Sequence, residues 1–137
     1  MCLYVRKSIP KRMIATEAVV CYKRIGRADQ QLDDYEDRGF RANDLVSIFQ
    51  YMRYKVRTTY TSKLVFSKEL KPDETIIGRV HKGLHSYTTL ETAKKQLHKL
   101  SGEVLIECRI PKGAEYYYDP MREEYASDTL RTIKLIK

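Results

Sequence analysis

Apolar and polar positions alternate in several short runs along the chain, and one run carries a clear helical period. In the segment 104–110, Val104, Ile106, Cys108 and Ile110 alternate with Leu105, Glu107 and Arg109. Successive side chains of a strand point to opposite faces, so this spacing predicts a strand with one strongly apolar face. Pro111 stops it, Lys112-Gly113 makes a turn, and 114–118 is expected to return as its hairpin partner. Residues 2–6 predict a short strand, and 18–25, rich in Val, Tyr and Ile, a second. Further strands are expected at 75–81, leading to Gly83, and at 130–136. Lys71-Pro72-Asp73-Glu74 supplies a turn, and Asp119-Pro120 opens a charged loop.

The helical run lies at about 89–100. Thr88, with Glu91 three residues on, forms a capping box in which a hydroxyl and a carboxylate satisfy otherwise unpartnered amides. Leu90, Ala93, Leu97 and Leu100 make one apolar stripe, and Ser101-Gly102 ends the helix. Two stretches are less regular. Residues 26–42 contain Gly26, Gly39 and five acids, show little apolar periodicity, and read as an acidic surface loop. In 44–56, Leu45, Ile48, Phe49, Met52 and Val56 recur at helical spacing, with Asn43 or Asp44 placed to cap. Tyr, Thr and Val dominate from Tyr51 to Phe66, however, and favour strands. A turn or short helix at 44–50 followed by strands at 51–57 and 59–66 reconciles the two patterns. The sum is an α+β fold: a single small strand-rich domain, 1–137, with an antiparallel sheet and one main helix.

Composition bounds the class. A chain of 137 residues suits one domain and buries enough surface to fold without metal or disulfides. Its 42% hydrophobic and 32% charged residues fit a folded protein rather than a disordered one. No apolar run approaches the ~18 residues that span a bilayer, and the start lacks the apolar core of a secretion signal. A cytoplasmic protein with no membrane partner is expected. Cys2, Cys21 and Cys108 are an odd count without C-x-x-C spacing. That argues against a disulfide framework or a zinc ribbon and for free thiols in a reducing compartment. Cys2 is read as a strand residue.

Charge changes the picture more. The net charge of +8 is uneven: 1–25 carries +5, 26–37 carries −4, 38–71 carries +6 and the rest is nearly neutral. Arg53, Lys55 and Arg57 alternate with Tyr54 and Val56, so on a strand the three cations share one face. Cations beside aromatic rings suit a nucleotide or nucleic acid, through phosphate neutralisation and base stacking. The same pattern also describes a solvated strand face whose tyrosines pack inward. The acidic segment 29–37 is placed to lie across those cations and neutralise part of them.

Other candidate chemistry is thinner. His81 and His85 are four apart, but in an extended chain that spacing is about 13 Å, too far for one metal. No metal site is predicted. His85, before the helix and between Gly83 and Ser86, is a candidate general base or phosphate donor, or a turn histidine satisfied by backbone. No G-x-G-x-x-G, P-loop, G-x-S-x-G or H-E-x-x-H is present, and no cofactor is expected. Tyr116-Tyr117-Tyr118 places alternate rings on opposite faces of a strand, so at least one reaches a surface.

Two resemblances add to this reading. Glu103 before the apolar run, and Pro111-Lys112-Gly113 after it, resemble the closing strand of ADP-ribosyltransferases. That resemblance implies Arg6 on the cofactor's phosphates, Ser62 in the hydroxyl motif and Glu103 on the ribose. The arginine lacks its usual following glycine, and Thr59-Tyr60-Thr61-Ser62 is an imperfect hydroxyl motif. The blocks MCLY, Val20-Cys21-Tyr22-Lys23, Gly83-Leu84-His85-Ser86-Tyr87, and Ile110-Pro111-Lys112-Gly113-Ala114-Glu115-Tyr116-Tyr117 resemble a family of small uncharacterised bacterial and phage proteins. Glu124-Tyr125-Ala126-Ser127 is similar to the same family, whereas the acidic segment 29–37 is unlike it. The resemblance implies organisation and a bacterial or phage setting, and transfers no functional residue.

Three functional readings follow. The first is a non-enzymatic binding module whose basic surface takes a nucleotide or nucleic acid through Arg53, Tyr54, Lys55, Arg57 and His85. The second is an ADP-ribosyltransferase-like enzyme using Arg6, Ser62 and Glu103. The third is a phage or mobile-element accessory protein acting on a protein partner through exposed tyrosines.

Overall fold

The computed structural model describes residues 3–6, 12–47, 53–70, 76–97, 102–120 and 122–136. The first half of the described chain runs β1 (Leu3–Arg6), β2 (Met13–Ile14), β3 (Val19–Arg27), α1 (Ala28–Gln31), β4 (Leu45–Ser47), β5 (Arg53–Tyr54), β6 (Thr59–Thr61) and β7 (Val65–Leu70). The second half runs β8 (Ile76–Lys82), β9 (Leu84–Tyr87), α2 (Leu90–Gln96), β10 (Val104–Ile110), β11 (Glu115–Asp119), β12 (Glu124–Ser127) and β13 (Thr129–Ile136). Among the described residues every strand pairing is antiparallel. A small sheet has the order β1-β8-β7, and a ten-stranded one the order β2-β11-β12-β9-β3-β10-β13-β6, with β4 and β5 continuing from β3. The description as strand-rich holds. With helix confined to four and seven residues among those described, the expected α+β class is not clearly met.

Alternation along β3 and β10 builds the main core. The two strands pair from Val104 opposite Ile25 to Ile110 opposite Val19. On one face Cys21, Ile25, Ile106, Cys108 and Ile110 are fully buried and pack with Leu84, Leu130 and Tyr54. The opposite face holds two smaller cores. Tyr87, Ala93 and Leu105 gather Tyr22, Leu90, Leu97 and Ile136 beneath α2. Val80, Tyr117 and Ala126, with Leu64 and Phe66, seat the small sheet on β11 and β12.

Gly83 joins β8 directly to β9 and so carries the chain from one sheet into the other. A Cβ there would meet Leu64 Cδ1 at 2.9 Å and Ala126 Cβ at 3.5 Å. Gly83→Ala therefore overpacks the second core and should cost about 1–3 kcal/mol. Denaturant unfolding of the variant checks this, and an unchanged midpoint refutes it.

Several expectations are corrected. The strand 114–118 does not return on 104–110: β11 pairs with β12 and β2 instead. The turn after Pro111 is tied to Ala15, whose N–H donates to the Ala114 carbonyl and whose carbonyl accepts from Gly113, both at 2.8 Å. Those bonds steer the returning strand away from β10. The charged loop after Asp119 is shorter than expected, because Glu124–Ser127 forms β12 between β11 and β9. Residues 26–42 are not one loop. Gly26 and Arg27 complete β3 against β4, and Ala28–Gln31 makes one helical turn. The remaining acids, Asp33, Asp34, Glu36 and Asp37, are exposed on turns.

The turn or helix expected at 44–50 is a strand where it is described, β4, paired on both sides. The strands expected at 51–57 and 59–66 are broken up. β5 ends at Tyr54, Arg57 takes a turn at φ 55°, β6 spans three residues, and β7 starts at Val65. The helix cap is Thr89 rather than Thr88, its side chain accepting from the Thr92 N–H. α2 stops at Gln96 because Leu97 is already extended. Leu90, Ala93 and Leu97 form the expected stripe; Leu100, Ser101, Cys2 and the turn at 71–74 lie outside the described residues.

Candidate anion-binding face

The predicted cationic strand does not exist as a unit. Arg53 is exposed on β5, but its guanidinium donates to the Gly39 carbonyl at 2.7 Å, pairs with Asp44 at 3.2 Å and lies 5.3 Å over the Phe40 ring. Its charge is thus spent on the segment that follows the acidic turns. Tyr54 is 3% exposed, packed against Tyr60, and closed to a stacking base. Lys55 follows β5 with its N–H donating to the Tyr60 hydroxyl, and Arg57 sits in the next turn. The three cations leave a common strand before they can share its face.

His85 lies in β9, not in a turn. Its Nδ1 is buried without a hydrogen-bond partner among the described residues, and burial, reinforced by the nearby Lys23 charge, depresses its pKa to about 4. A neutral imidazole cannot neutralise a phosphate. Arg6, Ser62 and Glu103 are not brought together as a transferase site. Arg6 pairs opposite Ile77, whereas Ser62 precedes Val65, which pairs opposite Lys82. Those two positions on β8 are about 16 Å apart. Ser62 instead ties its N–H to the Asp128 carbonyl at 2.9 Å. Glu103 immediately precedes β10 of the other sheet, 7% exposed, with its carboxylate 3.8 Å from the Arg24 guanidinium.

A different set of cations meets on the α2-bearing face of the large sheet. Alternation puts Leu105, Glu107 and Arg109 on that face, and Leu105 packs beneath α2. The far end of β10 extends past the helix. There Arg109 stands directly opposite Val20 on β3 and Arg131 on β13, and Arg131 stands opposite Thr59 on β6. All four residues of this row are exposed. The next row is Tyr22, Glu107 and Lys134.

Charge balance differs between the rows. Glu107 and Lys134 are opposite charges directly paired across strands, which offset each other. Arg109 and Arg131 are like charges at a Cα separation of about 5 Å. Arg131 donates to the Thr59 hydroxyl at 3.2 Å, and neither arginine is ion-paired among the described residues. An anion set between them would turn that repulsion into charge-assisted hydrogen bonds. Arg57 lies in the turn two residues before Thr59 and β6. Sequence alternation already pointed Arg109 outward. Only strand pairing could reveal that Arg131 would stand across from it.

Another set of polar groups faces inward. Lys23 lies on the opposite face, that of Cys21 and Ile25. Its ammonium donates to the His85 carbonyl at 2.8 Å and sits 5.4 Å from the Tyr54 ring, and burial lowers its pKa. Cys21 and Cys108 are directly opposite and fully buried. Burial pushes the Cys21 thiol up to about 11 and raises that of Cys108 well beyond its ordinary value. Both stay protonated and are poor nucleophiles. Glu124, opposite Asp119 in the ladder, has its carboxyl pKa raised by burial. Among the described residues no group of three His, Cys, Asp or Glu side chains could hold a metal. No helix among them is long and apolar enough to cross a membrane.

Comparison of the chain with protein-family models, with curated proteins and with solved structures finds no match to any of them.

Proposed function

We propose that this protein is a non-enzymatic binding module whose basic surface recognises an anionic ligand, a nucleotide or nucleic acid. The observation that carries the reading is the cross-strand pair Arg109–Arg131 on an exposed sheet face, like charges with no ion pair among the described residues. Such a pair costs stability in the free protein and becomes favourable when an anion bridges it. The ligand face is therefore assigned to Arg109, Arg131 and Lys134, with Arg57 in the turn before β6, in place of Arg53 and Lys55.

Fluorescence anisotropy with a labelled oligonucleotide tests this. Affinity should fall steeply with salt, and Arg109→Gln/Arg131→Gln should abolish most of the binding and flatten the salt dependence. Arg53→Gln/Lys55→Gln should leave both nearly unchanged, since Arg53 is already paired to Asp44. If instead the second pair carries the binding, the assignment fails. The reading as a protein-contact accessory rests on Tyr118, 41% exposed beside Tyr125. It predicts association that is insensitive to salt and lost in Tyr118→Ala.

A further inference from the structure

We infer that the ligand of this face is single-stranded nucleic acid, its backbone held by Arg109 and Arg131 while a base stacks on Tyr22. The inference rests on the anion-binding reading above and specifies its ligand. Tyr22 shares the face with the two arginines. It stands opposite Glu107 and diagonal to Arg109, at about 7–8 Å between Cα atoms. Tyr22 is half-buried: it packs against the cluster of Tyr87, Ala93 and Leu105 beneath α2, and the row of exposed residues begins beside it. A side chain already held by packing has little freedom left to lose when a base settles on its exposed part, which favours stacking.

The geometry discriminates among anions. Inorganic phosphate or polyphosphate can use the arginines but has nothing to place on Tyr22. A duplex keeps its bases stacked and shows a flat sheet only phosphates and groove edges. A single strand exposes both ring faces and phosphates, the two groups that this face is built to receive. The row crosses four strands, about 14 Å from β3 to β6, so Arg131 and Thr59 extend the track beyond the nucleotide held at Arg109. Glu107 is the one carboxylate in the two rows, and Lys134 directly opposite offsets its repulsion of phosphate.

The test uses the full chain with three probes: labelled oligothymidylate, a duplex of equal length and inorganic polyphosphate. Oligothymidylate should bind best, with a slope of log affinity against log salt near about −1.4 for two phosphates neutralised on a single strand. Tyr22→Leu should weaken oligothymidylate about tenfold and leave polyphosphate unchanged, while Tyr22→Phe, which keeps the ring, should bind like the parent. Thermal melting of both variants controls for the packing of Tyr22 on α2. If the three probes bind alike and Tyr22→Leu changes none of them, the single-strand inference is overturned while the arginine pair stands. If no probe binds, or Arg109→Gln/Arg131→Gln binds all three like the parent, the anion-binding reading itself falls.

Discussion

Ile106→Ala should lower the free energy of unfolding by about 2–5 kcal/mol, the largest loss expected from any single truncation considered. Ile106 is fully buried and lies at the middle of β10, opposite Lys23 on β3 and Leu135 on β13. Truncation removes its transfer free energy and leaves a cavity flanked by two ladders that cannot collapse without breaking backbone hydrogen bonds. Total stabilities of domains this size are roughly 5–15 kcal/mol, so the variant should be partly unfolded at moderate temperature. Ile14, 62% exposed on the edge strand β2, is the control: Ile14→Ala should shift stability by no more than about 0.5 kcal/mol. Urea unfolding followed by circular dichroism separates the two. Equal midpoints would mean that the Cys21–Ile106–Leu130 cluster is not the principal core.

Stability should also fall as pH drops from about 6.5 to 4, by up to roughly 3 kcal/mol from His85 alone. The imidazole pKa is depressed to about 4 in the folded protein by burial, with a lesser contribution from the Lys23 charge. Above pH 6.5 the ring is neutral in both the folded and the unfolded chain and contributes no pH dependence. Between the two pKa values the unfolded chain takes up a proton that the folded one refuses, so acid favours unfolding. Glu124 works in the opposite direction. Its raised carboxyl pKa means the folded protein keeps a proton that the unfolded chain releases, so its contribution is largest in acid and declines as pH rises past the ordinary carboxylate range. His85→Gln should therefore flatten the stability profile between pH 4 and 6.5, and Glu124→Gln should steepen it. A profile unchanged by His85→Gln would show the ring to be hydrated rather than buried.

Much of the local structure was legible in the residues. The alternation of Val104 to Ile110 produced β10 with the expected buried face, and the stripe Leu90–Ala93–Leu97 produced α2. These patterns read clearly because burial on one side of a strand or helix imposes a period that no distant contact needs to supply. The stretch from Asn43 to Phe66 was not legible for the converse reason. Leu45 and Val46 form β4 because β3 extends through Gly26 and Arg27 to pair with them, which no local propensity encodes. Arg57 interrupts the following strand by taking φ 55°, a conformation uncommon outside glycine, asparagine and aspartate. That one turn dissolved the expected row of Arg53, Lys55 and Arg57.

The sequence by itself determined that the chain is strand-rich, where its strongest strand and its main helix lie, that its acids cluster between Asp29 and Asp37, and that Arg109 points away from the core. Each of these is a property of spacing within one segment. Only the tertiary structure decided that β11 turns away from β10, that Arg53 is bound to Asp44 and Gly39, and that Tyr54 is closed beneath Lys23. It also decided that Arg109 and Arg131, 22 positions apart in the chain, face solvent side by side. Cross-strand register is set by which faces the paired strands bury and by where turns such as Pro111–Gly113 are anchored, and those are contacts between distant residues. A binding face made of neighbours on different strands is for that reason invisible in any one segment.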